Sequence, residues 1–250
     1  MPAPLVSGLL LLAGIWAGAQ NALAGGGSFV TLGMLVLAGL DPRAANITST
    51  IALFPGQVTT GYAGLRMATG AERLSFTALV LISLAGGVLG ALLLLVTPPV
   101  FFAGLVPWLV LFATTVFFWG SFIRKTSDLT LPLGPGGAAA AQLLIAIYGG
   151  YFGGGIGFLM LAVLTIAGLP VRNAAATKNV LAATMNASAV VIFLFSSDVH
   201  WPHAAVLGTG GVAGGLLGTV LLRRVNERWL RIGIVILGAT LAIGLFVRGT

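Results

Sequence analysis

Two glycine-rich stretches carry the residue types that could do chemistry, and that chemistry is anion binding. They read Gln20-Asn21-Ala22-Leu23-Ala24-Gly25-Gly26-Gly27-Ser28 and Tyr148-Gly149-Gly150-Tyr151-Phe152-Gly153-Gly154-Gly155-Ile156-Gly157. Each opens an apolar run too short to cross a bilayer alone, since a crossing needs about 20 residues. A helix that begins after such a cluster exposes unpaired N–H groups and a partial positive charge, and glycine lets a ligand approach that backbone closely. Two such ends meeting near the bilayer midplane would form an anion site. The same glycines also suit tight helix packing, so both readings stand.

A second pair of motifs follows the short runs: Ala45-Asn46-Ile47-Thr48-Ser49-Thr50 and Ala174-Ala175-Ala176-Thr177-Lys178-Asn179. Lys178 is the one charge inside a predicted helix, about 9 Å beyond Arg172 at 1.5 Å per residue. Asp41, Glu72, Asp128, Asp198 and Glu227 all fall at segment ends or in loops, so no carboxylate lies at its depth. An anionic substrate would compensate that charge; alternatively, the long side chain reaches the cytoplasmic headgroups. Gln57 and Asn186 could meet substrate oxygens or hydrogen-bond between helices. His200 and His203 flank Trp201-Pro202 without neighbouring carboxylates, which disfavours a metal site. The candidate substrate-binding residues are therefore Gln20, Asn21, Gly25, Gly26, Gly27, Ser28, Thr48, Ser49, Gly153, Gly154, Gly155, Thr177, Lys178 and Asn179. No catalytic set, metal or cofactor is expected.

The elements that position these residues follow from composition. Of 250 residues, 58% are hydrophobic and 7% charged, too few polar side chains to cover a water-facing surface. Long apolar runs contradict the alternation of a membrane β-barrel, which leaves an all-α polytopic membrane protein. The net charge of +7 is spread in ones and twos between apolar segments, a topology signal rather than a nucleic-acid footprint. With no cysteine, disulfides and thiolate chemistry are excluded. An intramembrane enzyme is disfavoured because no predicted helix holds a His or carboxylate well inside the lipid. The stretch from Met1 to Ala24 resembles a signal peptide at Ala22-Leu23-Ala24, but no basic residue precedes it.

Ten apolar segments can be marked: 4–24, 29–40, 44–65, 74–97, 99–123, 138–152, 156–169, 173–196, 203–222 and 229–247. Shifting the chain by 129 positions aligns 17–50 with 146–179 without a gap, and 12 of those 34 positions are identical. Among them are Gly25 with Gly154, Gly26 with Gly155, Phe29 with Phe158, Gly39 with Gly168, Arg43 with Arg172, and Thr48 with Thr177. The chain thus divides into a first repeat, 1–123, a cytoplasmic linker, 124–137, and a second repeat, 138–250. Basic residues at Arg66, Arg73, Arg124, Lys125, Arg223, Arg224, Arg228 and Arg231 place their loops in the cytoplasm. The turn Thr97-Pro98-Pro99 and the loop from Ser196 to His203 then lie outside, as do both termini. An odd number of segments per half makes the repeats inverted. Each contains a Gly-rich hairpin whose second arm is a short half-helix, and the hairpin is preferred to a full crossing.

A Gly-rich tip, a short helix ending Gly-Leu, a basic residue and then A-x-x-T-S or A-x-x-T-K, repeated in two halves, resembles the TauE/SafE family of sulfite and organosulfonate exporters. The resemblance covers nearly the whole chain and is strongest at 17–50 and 146–179. It implies a multi-pass inner-membrane transporter that exports small sulfur-containing or carboxylated anions. Its partners would be that anion and the lipid bilayer, with no nucleic acid; a homodimer is left open. A passive anion channel and a non-transporting scaffold are the alternatives. No Walker-type loop is present for ATP hydrolysis, and proton coupling through buried acids has no candidate residue. Because the chain lacks cysteine, single-cysteine labelling tests the orientation directly. Asp128→Cys is expected to react with impermeant reagents from the cytoplasmic side; labelling only from the outside would overturn the assignment.

Overall fold

The computed structural model describes residues 3–23, 26–71, 73–123, 134–221 and 227–248. Among them are ten α-helices and no strand: α1 (Ala3–Leu23), α2 (Gly27–Leu37), α3 (Pro42–Gly64), α4 (Phe76–Val96), α5 (Pro99–Phe118), α6 (Gly134–Tyr151), α7 (Ile156–Ile166), α8 (Val171–Phe193), α9 (Trp201–Leu221) and α10 (Glu227–Arg248). A 3₁₀ turn, Leu65–Met67, follows α3, and a π turn, Trp119–Ile123, extends α5. The all-helical architecture agrees with the sequence reading. Helix α6 begins at Gly134, so residues 134–137 of the expected linker are helical; 124–133 lie outside the described residues.

Helix lengths recur in order, 21, 11, 23, 21 and 20 residues in α1 to α5 against 18, 11, 23, 21 and 22 in α6 to α10. The two short helices, at 1.5 Å per residue, reach about half the ~30 Å hydrocarbon thickness. Their length is set by backbone handedness. Gly26 (φ 83°, ψ 4°) and Gly155 (φ 75°, ψ 0°) cap the N-termini in the left-handed conformation, which costs an L-residue with a side chain about 1–2 kcal/mol. At the other end the chain turns left-handed again at Gly39 and Gly168. There the Leu40 and Leu169 amides donate back to Leu35 and Leu164 in the same helix-ending pattern. The second and seventh segments, expected at 29–40 and 156–169, are therefore helical only over Gly27–Leu37 and Ile156–Ile166.

Helices α3 and α8 pack against each other at the centre, α9 joins α3 and α4 joins α8. The central pair runs antiparallel: a β-carbon on Gly64 would sit 2.9 Å from the Ala176 carbonyl and one on Gly61 2.9 Å from the Ala183 methyl, while Gln57 touches Asn186. Outside this pair, α1 packs on α9 and α6 on α4. Helices α5 and α10 pack on each other, with α7 and α2 respectively beside them.

These seams are closed by small residues. Gly14 and Gly18 of α1 lie against Leu207, Gly210 and Gly211 of α9, and Gly86 and Gly90 of α4 lie against Ala146, Ile147 and Gly150 of α6. Lipid is as apolar as leucine, so burial alone gives little reason for helices to associate; close backbone approach recovers dispersion energy instead. By length and hydropathy, Pro4–Asn21, Phe76–Val96 and Pro99–Phe118 qualify as membrane spans. The central helices α3 and α8 are long enough at 23 residues but less apolar, because polar residues occupy their shared face.

Gly214 of α9 has no room for a side chain, since a β-carbon would enter the Ile15 backbone, whereas Gly8 of α1 has nothing within 4 Å. Gly214→Val is expected to destabilise the detergent-purified protein by about 1–3 kcal/mol or more, read as a lower thermal midpoint, with Gly8→Val near wild type. Equal midpoints for the two variants would remove the α1–α9 seam as a source of stability.

Candidate anion-binding site

A cavity of about 70 Å³ lies where α3 and α8 meet the start of both short helices. At roughly 10–15 Å³ per water-sized position it holds about five heavy atoms. Its lining is organised by the repeat. Gly26 and Gly155, Ser28 and Gly157, Ser49 and Lys178, Thr50 and Asn179, Leu53 and Ala182, and Gln57 and Asn186 all face it, and each pair is 129 residues apart. Leu53 and Ala182 are the central residues of their 23-residue helices. Gly18, Gly211 and Gly215 close the side toward α1 and α9.

The helix starts are not equivalent. In the first, the Gly27 amide donates to Asn21 Oδ1 at 2.8 Å, so that one of the donors a helix N-terminus leaves over is satisfied by a side chain. In the second, Gly150 occupies the place of Asn21 and supplies no cap. The Phe29 and Phe158 amides turn back to Gly26 and Gly155 at 3.1 Å each. Among the described residues this leaves the Ser28 amide unpartnered at one tip and the Ile156 and Gly157 amides at the other. All three residues line the cavity. The tips approach each other, with the Phe29 ring 2.8 Å from where a Gly154 β-carbon would stand. Asn46 Nδ2 donates to the Tyr151 carbonyl at 3.1 Å and so ties α3 to the end of α6.

Lys178 crosses the cavity toward the start of α7, its Nζ 3.6 Å from the β-carbon position of Gly157. No hydrogen bond or ion pair reaches this ammonium among the described residues. Its repeat mate Ser49 is engaged, sharing a 2.5 Å hydrogen bond with Thr31, whose hydroxyl also meets the Ser28 carbonyl at 3.1 Å. Asn186 Nδ2 donates to Gln57 Oε1 at 2.6 Å, which leaves the Gln57 amide nitrogen for a further acceptor. The arrangement can hold a small anion, with amide donors and one full positive charge at the α7 end and neutral polar groups opposite.

Of the residues expected from the sequence, Asn21, Gly26, Ser28, Ser49, Gly153, Gly155, Lys178 and Asn179 line the cavity. Gln20, Gly27, Thr48, Gly154 and Thr177 are not in its lining, and Gly25 lies outside the described residues. Gln20 is buried, 2% exposed, with neither amide atom hydrogen-bonded. Thr48 and Thr177 fasten loops at opposite ends of the central pair. The His200 amide donates to Thr48 Oγ1 at 3.1 Å, and the Thr69 amide donates to Thr177 Oγ1 at 3.0 Å. Arg43 reinforces the first fastening through Asp198 at 2.7 Å and the Thr97 carbonyl at 2.9 Å, and Asn173 the second through the Met67 carbonyl at 3.1 Å. The His200 and His203 rings lie with centroids 3.9 Å apart and planes tilted by 38°, and no group of three metal-ligating side chains occurs among the described residues.

Gly56 and Thr60 of α3 and Ala182 of α8 also line the cavity, and sequence reasoning passed over them. The signal was present as spacing. Residues 49, 53, 56 and 60 follow the three- and four-residue steps of one helical face, as do 178, 182 and 186.

Short helices meeting at a small cavity lined by polar side chains and glycine, in a chain this apolar, fit a multi-pass membrane protein of the transporter class. The chain belongs to the sulfite exporter TauE/SafE family, which matches it over residues 10–245. It is 31% identical to the probable membrane transporter protein ORF9 of Sinorhizobium sp, over 96% of this chain and 92% of that protein. It is 26% identical to the probable membrane transporter protein YfcA of Escherichia coli K12, over 97% and 90% of the two chains. A probable membrane transporter protein of Haemophilus influenzae is 27% identical, over 92% and 90%. No solved structure matches the chain.

Asn21 is the cap that distinguishes the two tips. Asn21→Ala is expected to cost about 1 kcal/mol or more of stability, since it strips the partner from a part-buried amide, measured by thermal unfolding in detergent. An unchanged midpoint would show that the cap does not hold the first tip.

Proposed function

We propose that this protein is an inner-membrane exporter of small anions, sulfite and simple sulfonates among them, working by alternating access around the central cavity. One observation carries the proposal: a single cavity at the middle of α3 and α8 is lined by six pairs of repeat-related residues and contains an ammonium with no partner among the described residues. An uncompensated charge at that depth costs several kcal/mol unless water, carbonyls or an anion reach it. The antiparallel contact of Gln57 with its repeat mate Asn186 supports inverted repeats, because a two-fold axis that superposes such a pair lies in the membrane plane. Residues 1–123 and 138–250 would then form the two inverted repeats and 124–137 their cytoplasmic link. The exchange of partners between halves, α1 with α9 and α6 with α4, fits a site at their junction. The Thr48 and Thr177 fastenings, one at each end of the central pair, are where such a protein would open alternately to the two sides. Sulfite as a cargo comes from the family's description, and export is read from the same source.

The test fills the cavity without straining the backbone. Gly157 has ordinary φ, and its nearest neighbour would stand at 3.6 Å, so Gly157→Val should fold while its side chain takes the anion's space. Sulfite efflux from proteoliposomes is expected to fall at least about tenfold with the thermal midpoint within ~1 kcal/mol of wild type. A folded Gly157→Val protein with wild-type flux would move transport away from this cavity.

A further inference from the structure

The charge balance of the cavity restricts what can enter it, beyond the bare statement that it takes an anion. Among its lining residues Lys178 is the single titratable side chain; those contributed by α1, α2, α3, α7, α8 and α9 are otherwise glycine, amide, hydroxyl or aliphatic. Helix N-termini donate hydrogen bonds and a local positive potential but add no net charge, since each helix dipole is neutral overall. The site therefore carries one unit of positive charge. A monoanion brings it to zero, whereas a dianion leaves a whole negative charge without a counter-charge inside the bundle, which is unfavourable. The donors are also lopsided. Lys178 Nζ and the Ile156 and Gly157 amides cluster at the α7 end, whereas at α2 the Gly27 amide is held by Asn21, which leaves the Ser28 amide alone there, and Ser49 is held by Thr31. The opposite wall, Gln57 and Asn186, is neutral and retains both donor and acceptor capacity.

From this balance, resting on the reading of the cavity as an anion-transport site, we infer that it binds one small oxyanion bearing a single negative charge, seated against α7. A diprotic acid is therefore carried as its protonated monoanion. Its charged oxygens meet Lys178 and the α7 amides, and its hydroxyl faces the Gln57–Asn186 pair. The proton crosses on the substrate, so a chain with no carboxylate or histidine in its cavity needs none for transport to move a proton. Nothing is oxidised or reduced: the acid picks up a proton from water on one side, crosses as the monoanion and releases it on the other.

Three probes separate the possibilities in calorimetry on the purified full-length protein. Methanesulfonate is a monoanion at all relevant pH, sulfate is a dianion, and sulfite exchanges its second proton near neutrality. Methanesulfonate is expected to bind with one affinity across roughly pH 6 to 8, sulfate at least about tenfold more weakly, and sulfite with an affinity that falls about tenfold per pH unit once pH exceeds its second ionisation, the slope for one linked proton. Methanesulfonate doubles as the control for titration of Lys178, which would weaken both probes together. Lys178→Met, which keeps the apolar stem, is expected to lose methanesulfonate affinity at least about tenfold at every pH. Sulfate binding as tightly as methanesulfonate, or a flat sulfite profile, would overturn the single-charge inference and leave the anion site standing. Absence of binding by all three probes, in protein whose thermal midpoint is intact, would overturn both.

Discussion

A short helix that begins inside an apolar bundle leaves its first amides among groups that offer them no partner, and the rest of this molecule is arranged around that constraint. Four glycines, Gly26 and Gly39 in one half and Gly155 and Gly168 in the other, turn the chain left-handed at both ends of two eleven-residue helices. Each break would be prohibitive facing lipid. Both breaks face inward instead, onto the polar flank of the long central helices α3 and α8. Asn21 and the 3₁₀-like contacts of Phe29 and Phe158 absorb some of the orphan donors. Those left over all belong to residues on one cavity.

The penalty is offset by packing rather than by hydrophobic burial. Helices α3 and α8 give up apolar surface to carry Ser49, Thr50, Gln57, Lys178, Asn179 and Asn186, and they are held in place by α9 and α4. Those helices are in turn closed on α1 and α6 through glycine seams that let backbones touch. Because α1 closes on α9 and α6 on α4, the seams around the cavity join helices distant in the chain. The loops at the two ends of the central pair are tied by a few polar contacts, the His200 amide on Thr48 with the Arg43–Asp198 ion pair at one end and a reciprocal pair of hydrogen bonds between Thr177 and Thr69 at the other. Such fastenings are weak beside the seams, a division of strength that suits a rigid frame with openable ends.

Much of this was legible in the sequence, because the strongest constraints are written in residue types that have few other uses. Composition excluded a soluble fold, and the 129-residue repeat exposed the paired tips; Gly26 and Gly155 identified the breaks to within two residues at the N-terminal side. Boundaries at the far side were read too long, since Gly39 and Gly168 looked like part of an apolar run, whereas their positive φ ends the helix two residues earlier. The cavity lining was legible where chemistry is local, at Ser28, Ser49 and Lys178. Thr48 and Thr177 share a motif with cavity residues, yet one step along a helix turns a side chain by 100°, and they point to loops instead. The asymmetry between the tips depends on Asn21 folding back over six residues to Gly27 and on Thr31 reaching Ser49 across helices. Neither follows from spacing alone. Gly56 and Thr60 were missed because they are unremarkable by type and informative only as members of a helical face.

Anomalous scattering from crystals grown with selenite locates an anion between the tips without reference to activity. One selenium peak is expected inside the cavity, within hydrogen-bond reach of Lys178 and the Ile156 and Gly157 amides and displaced from the centre toward α7. A peak confined to the loops around His200, or an empty cavity in a map that resolves the Lys178 side chain, would contradict it.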